Sequence, residues 1–303
     1  MSNPFPPYEP SQFAALSPEE IVTKYHRRVL ILRAYYIGTV LLALVLFFIF
    51  SAMLSAVKGA ILYLVILLVL FIAFIRACSK ACERRMAKEF MQLILVLDQD
   101  CDPDKYLKVI DVLATYDARG RSTSALNLER AYAAYYNGQP EKALALARSV
   151  NFKQAKDGRW VRLCTLEAGC QNELGDAAAC NATLEKIANQ RSQFPDKESQ
   201  ITINNYLRYA AVCFSDPRDW TPEQADLMRS RMLTEPRYAG RVTAGLLLAQ
   251  YDYFHNNAAE AEQIIQEVKA GPTMPLFQMR LDALTELGEH HNAQLSGKVE
   301  SNQ

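Results

Sequence analysis

Four aspartates alternate in the stretch Asp98-Gln99-Asp100-Cys101-Asp102-Pro103-Asp104. Alternating carboxylates open a calcium-binding loop, where oxygen ligands at every second position converge on one cation. Counted from Asp98, such a loop needs glycine at its sixth position and a bidentate glutamate at its twelfth. The chain has Pro103 and Val109 there. The competing chemistry is a helix start, with Asp102 as N-cap and Pro103 at the first helical position. The sequence predicts that helix start, and no metal.

The remaining reactive side chains make no catalytic pattern. His26, His255, His290 and His291 lie in no H-E-x-x-H helix and beside no nucleophile motif. Glu289-His290-His291 reads as a polar turn leading into a helix. The seven cysteines are an odd number without regular spacing, which predicts neither a disulfide framework nor a zinc site. Cys164, Cys170 and Cys180 read as core residues. Cys78 and Cys82 lie one helical turn apart, as ordinary thiols or, alternatively, acylated ones. No phosphate-binding glycine loop or nucleophile elbow occurs. The expectation is a non-enzymatic chain with no catalytic residue, no metal and no cofactor.

The elements that carry these residues begin with a membrane signal. From Val29 to Ala77 the sequence is almost unbroken apolar, and Lys58 is the one charge between Arg33 and Arg76. As one helix it would be roughly 70 Å long, more than twice a hydrocarbon core of about 30 Å. Two spans, 34–54 and 59–77, with a break at Ser55 to Gly59, fit the bilayer. Basic residues flank the outer ends: Lys24, Arg27, Arg28 and Arg33 before, and Arg76, Lys80, Arg84, Arg85 and Lys88 after. Positive charge stays on the cytoplasmic side. That predicts an integral protein of a bacterial plasma membrane with both termini cytoplasmic. Tyr35 and Tyr36 suit the interface. Ser51, Ser55 and Gly59, beside Ala52, Ala56 and Ala60, let the two helices close tightly or form a self-association face.

Residues 1–16 hold four of the thirteen prolines and read as a disordered tail. Their Asn3-Pro4-Phe5 and Pro6-Pro7-Tyr8 triplets read as accidental matches to short recognition motifs. Ser17-Pro18-Glu19-Glu20 is a capping box that starts the entry helix. Residues 17–77 form the entry helix and hairpin. Residues 78–100 continue as a juxtamembrane helix whose basic cluster suits anionic headgroups. The chain is neutral overall and slightly acidic after Ala77, which excludes the basic footprint of a nucleic-acid binder.

Residues 101–297 carry almost only helical patterning, broken by short polar turns. Five helix-turn-helix copies align, turning at Asn137-Gly138, Gly175-Asp176, the Asp216 region, Asn256-Asn257 and Gly288. The second helix of each carries a small residue: Ala143, Cys180, Ala225, Ala261 and Ala293. Twelve positions earlier stand Ala131, Ala168, Cys213 and Ala249, with Leu281 in the last copy. This pairing resembles the tetratricopeptide repeat, in which two helices approach so closely that a small residue is needed at each contact. The resemblance implies an α-solenoid whose first helices line a peptide-binding groove. Tyr132, Tyr135, Tyr136, Tyr206, Tyr209, Tyr251 and Tyr253 fall on those first helices, part of them core and part groove. Residues 298–303 are a disordered tail.

The expected class is all-α: a transmembrane hairpin followed by a cytosolic α-solenoid. The expected role is a membrane-anchored scaffold whose repeat domain binds a protein partner. The alternative is an accessory subunit or regulator of a membrane complex, acting through its hairpin. A cysteine placed at Lys58 is expected to react with a membrane-impermeant maleimide on intact cells, and one placed at Ser2 only after lysis. The reverse pattern overturns the orientation.

Overall fold

The computed structural model describes residues 5–55, 60–117, 120, 122–152, 158–194 and 197–300, without the side chains of 55, 60 and 290–300. The break at Ala56 to Gly59 with Lys58, the Asn3-Pro4 dipeptide, and the side chains of Ser55, Ala60, His290, His291 and Ala293 lie outside the described residues. The secondary structure among them is helical, with no strand. The chain divides into two compact units, Leu16–Ile94 and a second made of residues up to Ala15 together with Leu95 onward.

In the first unit, α1 (Pro18–Ser55) and α2 (Ala60–Leu93) lie side by side. The capping box forms: the Glu20 N–H donates to Ser17 Oγ at 3.2 Å, and the Ser17 N–H to Glu20 Oε2 at 2.8 Å. Contacts run in opposite order along the two helices, so they are antiparallel. Tyr25 meets Phe90 at 6.4 Å, Arg28 pairs with Glu89 at 3.1 Å, and Phe47 meets Phe71 at 4.8 Å between centroids. Both helices are long and apolar enough to cross a membrane, and their most apolar stretches bury no residue. The antiparallel arrangement gathers the basic residues of α1 and α2 at one end of the pair.

The second unit opens with α3 (Leu95–Asp98) and α4 (Pro103–Thr115). Asp102 caps α4 by accepting from the Lys105 N–H at 2.8 Å, so the aspartate stretch is a helix start. Then come α5 (Thr123–Tyr136) and α6 (Pro140–Arg148), α7 (Gly158–Glu173) and α8 (Ala177–Gln190), α9 (Lys197–Cys213), α10 (Pro222–Thr234), α11 (Tyr238–Phe254) and α12 (Ala258–Lys269), and α13 (Pro275–Glu300).

Three helical pairs, α5/α6, α7/α8 and α11/α12, turn in the same way. Each first helix ends two residues before a left-handed residue: Gly138 (φ 68), Gly175 (φ 73) or Asn256 (φ 62). Two backbone bonds close each turn. The left-handed residue's N–H donates to the carbonyl three back, and the next N–H to the carbonyl five back, as in Gln139 to Ala134, Asp176 to Gln171 and Asn257 to Asp252. This is the Schellman motif, and left-handed φ explains glycine or asparagine at its corner. The small residues fall in constant register around it, seven before and five after. Ala131, Ala143, Ala168, Ala249 and Ala261 are fully buried, and Cys180 nearly so.

Two of the five expected copies are built differently. The α9 and α10 helices do not form a tight pair; α10 packs on α11 instead. Pro217 and Pro222 interrupt the connection, which takes a 3-10 turn at Pro217–Asp219 and ends at buried Trp220. Trp220 donates its indole N–H to Ser215 Oγ at 2.9 Å and stacks on Tyr251. Gly288, read from sequence as a turn, lies inside the uninterrupted α13, and residues 298–300 belong to the same helix. Its hydrogen serves a close approach instead: a Cβ there would come within 2.6 Å of Tyr253 Oη.

The N-terminal segment, read from its prolines as a disordered tail, is packed as far as it is described. Phe5 and Phe13 are buried. The Phe5 ring meets Tyr238 edge-on at 6.2 Å, and its N–H donates to Glu267 Oε2 at 2.9 Å. Asp100 accepts from Tyr8 Oη at 3.3 Å, the Ser11 N–H at 2.7 Å and Ser11 Oγ at 2.5 Å. Lys105 Nζ donates to the carbonyls of Phe13 and Ala14, both at 2.9 Å. Proline removes donors, so the strap relies on side chains of α4, α12 and the loop between α3 and α4 to satisfy its backbone. Burial, then Asp100, pushes the Tyr8 hydroxyl up to about 12.

Removing the Phe5 ring leaves a cavity against Tyr238, Gly245 and Met232. F5A is expected to destabilise the full-length protein by about 3 kcal/mol in denaturant unfolding. A loss under about 1 kcal/mol would mean that the strap contributes nothing to the core.

Candidate functional site: a tyrosine-lined cavity

The face of α5 that carries Tyr132, Tyr135 and Tyr136 borders a cavity of about 420 Å³ in the second unit. Residues of α7, α9, α11 and α13 complete the wall. The α13 helix packs against both α11 and α5, so it closes one side of the cavity.

The wall is braced from behind. Glu129, buried on α5, receives a two-pronged bond from Arg162 of α7, at 2.6 and 2.9 Å. Tyr106 Oη of α4 donates to the same carboxylate at 2.9 Å. The Arg162 guanidinium lies over the Tyr132 ring at 4.8 Å, and Tyr132 Oη donates to the Arg162 carbonyl at 2.8 Å. Burial pulls the Arg162 guanidinium down, but Glu129 together with the Tyr132 and Tyr106 hydroxyls holds it above its ordinary value. One carboxylate thus locks α4, α5 and α7 together and fixes the first tyrosine of the wall. Asp98 and Arg237 form a second ion pair, linking α3 to the start of α11.

Of the seven tyrosines expected along a groove, Tyr132, Tyr135, Tyr136, Tyr206 and Tyr209 line this cavity. Tyr251 and Tyr253 do not. Tyr251 is stacked between Trp220 and His255, at 6.0 and 4.0 Å. Tyr253 is buried, and its hydroxyl donates to Glu262 at 2.6 Å. Both lie in the last turn of α11, past the residues from Gly240 to Gln250 that reach the cavity. Cys213 lies in the cavity wall, half-buried, instead of between two paired helices. Ala225 is buried in the cluster of α10 to α13.

Sequence reasoning missed the charged pair in the wall. Arg280 of α13 donates to Glu173 at the end of α7. Each carried a signal. Arg280 interrupts the apolar stripe of Leu276, Leu284 and Leu287 along α13. Glu173 occupies the place, two residues before the left-handed corner, where the other two matching pairs have Tyr136 and Phe254.

Burial raises the hydroxyls of Tyr135, Tyr136, Tyr206 and Tyr209 above the ordinary tyrosine range. It also pushes the Cys213 thiol up to about 11, against the pull of Tyr209 and Arg280. Burial lowers Arg280, but Tyr135 and Glu173 more than restore it. Near neutral pH the tyrosines and the thiol are therefore uncharged. Glu173 and Arg280 are the charged residues among the described lining.

Removing the Glu129 charge leaves the half-buried Arg162 without its carboxylate. E129Q is expected to destabilise the protein by about 3–5 kcal/mol, read from denaturant midpoints. A change below about 1 kcal/mol would show that the brace does not hold the wall.

Compared with known protein families, characterised proteins and solved structures, the chain matches none.

Proposed function

We propose that the chain is a membrane-anchored scaffold. In this reading α1 and α2 cross the plasma membrane of a bacterium as a hairpin with both ends cytoplasmic. The helical pairs after α3 form a tetratricopeptide-like domain that captures a segment of a protein partner in the tyrosine-lined cavity. The observation that carries it is the convergence of Tyr132, Tyr135, Tyr136, Tyr206 and Tyr209, from α5 and α9, on one cavity of about 420 Å³. Aromatic side chains dominate the energy of many recognition sites, and pockets of a few hundred cubic ångströms bind ligands. Binding is favoured over catalysis because the lining groups with displaced pKa values are all held away from neutrality, whereas a general acid or base works near its operating pH. The basic residues gathered at one end of the α1/α2 pair support the orientation.

The test uses photo-crosslinking residues in the full-length protein, in membranes of its own cells. A crosslinker at Tyr209 is expected to trap a protein, and Y135A is expected to reduce that product several-fold. Crosslinks only from lipid-facing positions such as Ile37 or Val69 would overturn the scaffold reading in favour of an accessory subunit acting through its hairpin.

A further inference from the structure

The three matching pairs share two more register positions, four residues before the left-handed corner and eight after it. In α5/α6 these hold Ala134 and Leu146, two apolar side chains. In α7/α8 they hold Gln171 and Thr183, and the Thr183 hydroxyl donates to Gln171 Oε1 at 2.8 Å. Each joint is thus filled by two apolar groups or by two polar groups that satisfy each other. In α11/α12 the same positions hold Asp252 and Ile264. The isoleucine is buried and has no donor to offer. Asp252 is fully buried, and neither of its carboxylate oxygens has a hydrogen-bond partner among the described residues. A buried carboxylate without a partner is costly when ionised and far less so when protonated.

The surrounding charges do not repair the mismatch. From α12, Glu260 repels the carboxylate. From α10, Arg229 attracts it, but that guanidinium already pairs with Asp226 at 2.8 Å and approaches Glu260 at 4.0 Å. At the corner, His255 attracts it, with its ring stacked on Tyr251 and its Nδ1 2.9 Å from the Tyr251 carbonyl. The 3-10 turn, α3 and α13 also pack on α11, and their Arg218, Asp98 and Arg280 are paired with Asp216, Arg237 and Glu173. Burial, then Glu260, pushes the Asp252 carboxyl up to about 6, against the pull of Arg229, Asn257 and His255.

We propose that Asp252 makes the α11/α12 joint a pH-sensitive element, which tightens in mild acid and loosens as the pH rises to neutrality and beyond. Protonated, the side chain is neutral, and the joint closes without an uncompensated charge. Ionised, it favours opening, because an open joint lets water reach both oxygens. A free aspartate titrates near roughly 4, so the closed joint holds the proton more tightly than the open one. The stability of the joint is therefore greatest in acid, falls as the pH rises above that value, and levels off once the buried carboxyl has ionised. The same helix carries Gly240 to Gln250 to the cavity, so the joint acts on the element that builds one of its walls. This holds whatever occupies the cavity.

The test is hydrogen exchange, read by mass spectrometry on the full-length protein in detergent and corrected for the intrinsic pH dependence of exchange. Between about pH 5 and pH 8 the unaltered protein is expected to lose about tenfold more protection in α11 and α12 than D252N does. E260Q removes a repelling charge, so its loss is expected to be smaller and to fall at lower pH. Equal losses in the unaltered protein and D252N overturn the proposal. So does protection that rises with pH relative to D252N, or a loss of the same size in α7 and α8. If D252N does not fold, E260Q is decisive, and a loss identical to that of the unaltered protein overturns the proposal.

Discussion

The second unit depends on a contact between small residues on neighbouring helices. In α5/α6, α7/α8 and α11/α12, alanine or cysteine lets two backbones approach, and the left-handed corner sets the angle at which the second helix returns. Interiors tolerate added volume poorly, so a leucine at Ala131 or Ala168 would force the pair apart. The part of the cavity wall built by α5, α7 and α11 is downstream of that spacing. The tyrosines of α5, Glu173 at the end of α7 and Gln250 on α11 all project from first helices of such pairs. Their positions are fixed by how closely each second helix holds its partner from behind.

Ion pairs finish what packing begins. Glu129 joins α4, α5 and α7, Asp98 joins α3 to α11, and Glu173 joins α7 to α13. The last two link elements more than a hundred residues apart, where loop closure is entropically costly. Buried pairs of this kind add little net stability compared with apolar packing. Their use lies in choosing one arrangement of similar helices over its neighbours, since a carboxylate left unpaired in the wrong arrangement is strongly penalised. The strap adds a further constraint, threading an aromatic ring into the cluster of α10 to α13 at the cost of ordering a proline-rich segment.

Much of the local structure was legible in the sequence, because local structure is set by local chemistry. The Ser17 capping box, the Asp102 N-cap and the corners at Gly138, Gly175 and Asn256 follow from residue types that satisfy orphan backbone groups or tolerate positive φ. The long apolar helices were equally plain. What escaped was tertiary. Gly288 looked like a turn residue because glycine breaks helices on average; here it makes room for Tyr253. The prolines of the strap signal lost donors, and nothing local reveals that Asp100 and Lys105 supply the missing partners. The cavity was half visible. Tyrosines on first helices pointed to it, but which of them reach it depends on where along each helix the cavity lies, and Tyr251 and Tyr253 lie past it at the end of α11. Arg280 and Glu173 lie more than a hundred residues apart, and only the closure of α13 onto α5 brings them into one wall.

The constant register of the three matching pairs has an evolutionary side. Each residue along an α-helix turns the next side chain by about 100°. Inserting or deleting one residue between a small residue and its corner would swing the contact away from its partner, whereas a change in the loop between one pair and the next alters only their stacking. Length variation among descendants of this chain is therefore expected to collect between pairs, and not within them. The α9/α10 region, with its proline turn and no left-handed corner, is the place in the second unit where that restriction is lifted. It is also where the cavity wall has most freedom to diverge.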